Sequence, residues 1–164
     1  MKKTDPITPR VLLITGEPGA GKTTLMRRLV AVPGFRRWAS WTTRAPRPGE
    51  IDGFDYVFVD DQSFMSAVAR GEMLEHLVGP GGARYGLPQP PTTRPGECLV
   101  AIVDEAAAER LPALLPGYEV SVRHLAPPKE ILAERMRGRG DAEDAIAARL
   151  VWAARDLAQI GGPK

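Results

Sequence analysis

The chain has 164 residues, 43% apolar and 26% charged, with 22 basic against 20 acidic side chains and a formal net charge of +2. That is enough chain to bury one core without disulfides or a structural metal, and so balanced a charge excludes a general polyanion binder. A single cysteine, Cys98, excludes an intrachain disulfide, and no apolar run approaches the length of a membrane span.

In chain order, Arg10 to Thr15 predicts a first strand, and the glycine-rich turn after it opens a helix that runs to about Val32 and stops at Pro33-Gly34. A short strand near Arg37 to Ser40 leads into a polar, proline-broken loop, Trp41 to Gly53. Tyr56 to Val59 reads as a strand, and Asp60 or Asp61 caps a helix ending at Gly71. Glu72 to Val78 and Ala83 to Tyr85 flank Gly79-Pro80-Gly81-Gly82 as a hairpin, followed by a proline-rich loop, Pro88 to Gly96. Cys98 to Val103 is a continuous apolar run, as in a strand covered on both faces, with Cys98 as a small buried residue. A helix from about Glu105 to Leu111 is ended by Pro112, and Tyr118 to Leu125 forms the next strand. Pro127-Pro128 starts a helix that reaches Arg137 and breaks at Gly138-Arg139-Gly140. A last helix, about Ala142 to Gln159, carries Ile146, Leu150, Ala153 and Leu157 on one stripe. Strands alternating with helices predict an α/β fold, a doubly wound parallel sheet.

The segment Gly16-Glu17-Pro18-Gly19-Ala20-Gly21-Lys22-Thr23-Thr24 sits between a strand and a helix start, the setting of a P-loop. Gly16, Gly19 and Gly21 let backbone N–H groups converge on phosphate oxygens. The helix N-terminus and Lys22 add positive charge, and the Thr23 hydroxyl can ligate Mg²⁺. The expected ligand is a nucleoside triphosphate.

The second constellation runs from Ser40 to Phe58 and includes Arg44-Ala45-Pro46-Arg47, Glu50 and Tyr56. Two arginines three apart, stiffened by prolines and with a tyrosine nearby, can grip one phosphate monoester, and Glu50 can orient an arginine. The group Arg135-Arg137-Arg139 also suits polyphosphate, whereas Arg27, Arg28, Arg36 and Arg37 read as solvated helix faces. His76 and His124 have no companions at metal-ligand spacing. A donor P-loop plus an acceptor cradle is the layout of a nucleoside monophosphate kinase. One domain over residues 1–164 is expected: a core of 1–40 and 97–127, a monophosphate-binding lobe of 41–96, and a helical lid with the last helix over 128–160.

The string from Ser40 to Phe58 resembles the signature of the guanylate kinase family, Ser-x-x-Thr-Arg-x-Pro-Arg-x-Gly-Glu-x-x-Gly-x-Asp-Tyr-x-Phe. Gly71-Glu72-Met73-Leu74-Glu75, Tyr85-Gly86, Ala126-Pro127-Pro128, Arg135-Met136-x-Gly138-Arg139-Gly140 and Arg149-Leu150 match further blocks, so the resemblance spans about residues 10 to 158. It implies that Arg44, Arg47, Tyr56 and Tyr85 bind the acceptor phosphate and that Ser40 and Glu75 sit at the guanine site. It also implies that Arg135, Arg139 and Arg149 close on the transferring group, beside Lys22 and Arg47. Asp104 matches the second aspartate of the family's Asp-x-Asp, near the acceptor and Mg²⁺. The implied partners are small nucleotides, ATP with GMP or dGMP, with no nucleic acid and no membrane. Met1-Lys2-Lys3 is followed by no signal-peptide core, which makes the cytoplasm the expected compartment.

Three departures stand out. Leu87 and Ile102 replace polar base contacts of the family, and Ala106-Ala107 replace its Gln-Gly. The helix before the buried strand is shortened into Pro88-Gln89-Pro90-Pro91, and the family's last strand and helix are missing, which would leave Tyr118 to Leu125 as a sheet edge. Tyr85-Gly86-Leu87-Pro88 and Arg149 to Arg155 also resemble ribose bisphosphate kinases, the alternative sugar-phosphate reading. A non-catalytic guanylate-kinase-like interaction module is the third alternative, disfavoured by the intact Lys22-Thr23.

Overall fold

A computed structural model describes residues 8–144, 146 and 147. Its centre is strand β1 (Arg10–Gly16), whose apolar side chains point alternately to two covered faces. Val11 and Leu13 pack with Leu99, Ala101, Ala107 and Leu111 on one side. Leu12 and Ile14 pack with Met26 and Val100 on the other. The covering helices are α1 (Lys22–Val30), which buries Met26, and α3 (Glu105–Leu114), which buries Ala107, Ala108 and Leu111. Between them lie β2 (Phe35–Arg37), β7 (Cys98–Ile102) and β8 (Glu119–Leu125). All three pairings are parallel and the strand order is β2-β7-β1-β8. This is the doubly wound α/β sheet of a P-loop NTPase.

A second four-stranded sheet, in the order β4-β3-β6-β5, is built from β3 (Trp41–Thr42), β4 (Val57–Phe58), β5 (Met73–Val78) and β6 (Arg84–Pro88). Helix α2 (Asp61–Ala69) covers it, burying Phe64 and Ala67 against Met73. Asp60 caps that helix, its carboxylate accepting from the Ser63 amide at 2.6 Å, while Asp61 pairs with Arg84 at 2.7 Å. Helix α4 (Lys129–Gly138) buries Leu132, Ala133 and Met136 against Ala20 and Ile146. The last helix can be followed only at Glu143, Asp144, Ile146 and Ala147, which are helical; Leu150, Ala153 and Leu157 lie outside the described residues.

Several boundaries differ from the sequence reading for local reasons. The second strand sits at Phe35–Arg37 rather than Arg37 to Ser40. Its register with β7 starts at the Cys98 amide bonded to Gly34 and ends at the Trp38 amide bonded to Val100. The chain then leaves the core sheet, and Trp41–Thr42 pairs in the other one. Strand β6 extends through Leu87 to Pro88, paired with Met73, which shortens the proline-rich loop and buries Leu87 to 2% exposure. Pro112 does not end α3, which continues to Leu114: Pro112 removes only one amide near the helix end, and Leu111 and Leu115 are buried on either side of it. Strand β8 is an edge of its sheet among the described residues, with Val122 48% exposed.

Candidate active site

The loop between β1 and α1 is shaped by glycine. Gly16 has φ 134°, and a β-carbon there would lie 2.2 Å from the Leu125 carbonyl oxygen. Gly21 caps α1 at φ 94° with no side-chain acceptor, so the first-turn amides of Lys22, Thr23 and Thr24 are not engaged by a capping side chain. The Lys22 ammonium is largely buried and donates to the carbonyls of Gly16 (2.5 Å) and Glu17 (2.8 Å). Burial pulls its pKa below the ordinary lysine value, with the Glu17 charge opposing that shift. A phosphate would supply a counter-charge in place of the hydration that burial removes.

The loop that carries Arg44 and Arg47 is organised around Glu50. Its two carboxylate oxygens each accept from the Arg44 guanidinium at 2.9 Å, and one also accepts from the Arg47 amide at 2.6 Å. Burial pushes the Glu50 carboxyl up, but the bonds from Arg44 and Arg47 outweigh it, and the net shift is downward. The hydrogen bond to Glu50 likewise raises the Arg44 pKa. The Arg44 guanidinium lies 5.4 Å from the Tyr56 ring centroid and 5.7 Å from that of Phe58, and Tyr56 meets Tyr85 edge-on at 6.1 Å. Burial raises the Tyr56 pKa, so its hydroxyl stays a proton donor. Arg47 is exposed beside this group.

Arg37 corrects the sequence reading, which put it on a solvated helix face. It is a largely buried strand residue whose guanidinium donates to the carbonyls of Phe54 (2.9 Å), Asp55 (3.1 Å) and Val100 (3.2 Å), and to Trp38. Burial pulls its pKa down to about 10. Arg27 is exposed but pairs with Asp55 at 3.4 Å and covers the Phe54 ring at 5.6 Å. Arg36 bonds the Thr92 carbonyl at 2.7 Å and faces Glu97 at 3.6 Å. Nothing in the sequence singles out Arg37; only the packing of residues 51–56 against β2 does.

These elements open on two cavities. One, about 1060 Å³, is lined by Pro18 to Thr24 together with Arg44, Arg47, Glu50, Tyr56, Arg135 and Arg139. The other, about 650 Å³, is lined by Gly16, Glu17, Ser40, Tyr56, Glu75, Tyr85, Leu87, Ile102 and Asp104. Pro18, Lys22, Tyr56 and Ile102 belong to both walls, so the two form one cleft. Arg135 reaches the Gly19 carbonyl at 3.1 Å, and Arg139 faces Asp141 at 3.4 Å. Arg149 lies outside the described residues.

At the smaller end, Ser40 is buried and its hydroxyl points at the Ile102 carbonyl 3.5 Å away. Glu75 pairs with Arg110 at 3.1 Å, and Asp104 caps α3 by accepting from the Ala107 amide at 2.7 Å. Among the described residues no three histidine, cysteine or acidic side chains gather as a metal site. Thr23 lies on the wall of the larger cavity and Asp104 on that of the smaller.

A P-loop facing an arginine–tyrosine cradle across one cleft, on a parallel α/β sheet, defines a P-loop nucleoside monophosphate kinase. The family model described as guanylate kinase matches residues 8–90. The chain is 42% identical over 156 residues to the guanylate kinase of Corynebacterium glutamicum, covering 91% of this chain and 81% of that protein. It is 38% identical to that of Granulibacter bethesdensis, covering 92% and 72%. The solved guanylate kinase of Anaplasma phagocytophilum shares the fold, with a TM-score of 0.64 at 24% identity over 88% of this chain and 71% of that one. The chain belongs to the guanylate kinase family, and it is an ATP-dependent nucleoside monophosphate kinase. No helix among the described residues is long and apolar enough to cross a membrane.

Proposed function

We propose that this enzyme transfers the γ-phosphoryl group of ATP to GMP or dGMP, giving the diphosphate. The observation that carries this reading is the continuity of the cleft: the P-loop, the Arg44–Glu50 cradle and Glu75 open on one space. In it, residues 41–96 serve as the monophosphate-binding lobe and 128–160 as the lid, on a core of 1–40 and 97–127. Lys22 and the loop amides hold the ATP phosphates, while Arg44, Arg47, Tyr56 and Tyr85 hold the acceptor phosphate. A bound Mg²⁺, held through Thr23 and Asp104, would supply charge neutralisation on the phosphates. An acceptor phosphate oxygen attacks the γ-phosphorus, the bond to the bridging oxygen breaks, and its electron pair leaves on the ADP β-phosphate. Arg135, Arg139 and Arg149 offset the charge that develops, so catalysis is positioning and electrostatics with no covalent protein intermediate.

Glu75 accepts from the N1–H and 2-amino groups of guanine, a pattern adenine does not offer. A coupled assay over GMP, dGMP, AMP, CMP, UMP, dTMP and ribose 1,5-bisphosphate tests the reading. Guanine nucleotides should lead the panel, and turnover of another acceptor in their place would overturn the assignment.

A further inference from the structure

The base end of the cleft has an unusual wall. Leu87, Ile102, Ala106 and Ala107 line it and carry no polar side-chain atom. Glu75 projects there from β5 with 16% of its side chain exposed. Its partner is Arg110, on α3 one turn beyond Ala106 and Ala107, with Nη2 3.1 Å from Oε2. The spacing between this strand and this helix is set by buried contacts: Leu87, Ala107 and Leu111 share one core cluster, and Leu74, beside Glu75, packs against it. Arg110, with 54% of its side chain exposed, therefore reaches Glu75 from a fixed position rather than from a mobile loop.

We propose that Arg110 determines base specificity as a positioning residue, holding the Glu75 carboxylate in the plane that reads the acceptor base. The inference rests on the guanine-nucleotide reading above. Such a half-exposed ion pair contributes little to folding stability. Its consequence is orientational. A carboxylate reads two parallel N–H donors only when its plane matches the base edge, and no polar side chain on the Leu87–Ile102 wall constrains that plane. One N–H bond to Oε2 fixes the rotation and leaves Oε1, with a remaining lone pair of Oε2, for the base. The neighbouring titratable groups, His76 on the same strand and Glu109 on the same helix, are not bonded to this pair in the described structure.

The test compares the parent with Arg110→Ala and Arg110→Lys on GMP and on IMP, which lacks the 2-amino group. Alanine is the best helix former, so α3 should persist and the melting temperature should stay within a few degrees. The expected result for Arg110→Ala is a fall of about tenfold or more in the GMP:IMP ratio of kcat/KM, carried by the KM for GMP. The maximal rate and the KM for ATP should stay within about threefold, and Arg110→Lys, which keeps one charged donor, should recover most of the ratio. A GMP:IMP ratio unchanged in Arg110→Ala, with the parent active on GMP, overturns the role of Arg110 and leaves the guanine reading standing. A loss shared equally by GMP, IMP and ATP makes Arg110 merely structural and also overturns it. A parent that turns over neither GMP nor IMP fells the guanine reading itself, and the inference with it.

Discussion

Glu50 shows how one carboxylate can set the geometry of an arginine loop. It receives both prongs of Arg44 and closes the turn through the Arg47 amide, so three groups are ordered around two oxygens. Its carboxyl lies below the ordinary 4.5 in the folded protein. A depressed carboxyl stabilises the fold fully above its unfolded value and loses that contribution as pH falls through the folded one. Glu50→Gln should therefore melt below the parent at pH 6, and the gap between them should close as pH drops beneath about 4.5. Thermal melts across pH 3.5 to 7 would check this, and a gap independent of pH would mean that the charge of Glu50 is not what holds the loop. Its fork also explains why Arg44 is not equivalent to lysine here, since a single ammonium cannot match both oxygens in one plane.

At the scale of elements, the two sheets are tied by Arg37. From β2 its guanidinium reaches the carbonyls of Phe54 and Asp55, in the loop that leads to Tyr56, and of Val100 in β7. Arg27 of α1 holds the same loop through Asp55, whose carboxylate also accepts from the Ile51 amide at 2.8 Å. Replacing Arg37 by methionine removes the donors and leaves the Phe54 and Asp55 carbonyls without them. The expected cost is about 2–4 kcal/mol of unfolding free energy, because a half-broken buried polar group costs more than the bond contributes. Arg37→Lys should lose less. Urea unfolding would measure both, and a loss below about 0.5 kcal/mol for the methionine variant would show that the loop finds other partners. Pro112 within α3 carries the opposite lesson: a residue that predicts a helix end is overridden where Leu111 and Leu115 are buried around it.

For the whole molecule, the cleft divides the bonding of the protein into two sheets joined across a space that nucleotides would fill. Ligands bound only by the folded state stabilise it by mass action, about 2.7 kcal/mol for each at one hundred times its dissociation constant. For a chain of this size ATP analogue and GMP together should raise the melting temperature by roughly 10 °C or more, and by more than the sum of the two single shifts if they draw the walls together. Additive shifts would mean that the two ligands do not communicate. Melting curves with a non-hydrolysable ATP analogue, GMP and both give the answer.

The P-loop and the strands around it were legible because their signals are local: glycines where a β-carbon would strike a carbonyl, as at Gly16, and unbroken apolar runs where helices cover both faces, as at Cys98–Ile102. The pairing of Glu50 with Arg44 was legible for the same reason, since Arg44, Arg47 and Glu50 are neighbours in the chain. What lay beyond the sequence were the long-range partners. Arg37 reads as a surface arginine until the 51–56 loop is laid over it, and Arg110 is a solvated helix residue until β5 brings Glu75 to 3.1 Å. The extension of β6 that buries Leu87 was equally hidden, because proline at its end reads as a loop and only pairing with Met73 overrides it. Local sterics and hydrophobic period act within a few residues and can be read along the chain. Which charge meets which carbonyl or carboxylate far along the chain is decided only when packing fixes the distance between elements.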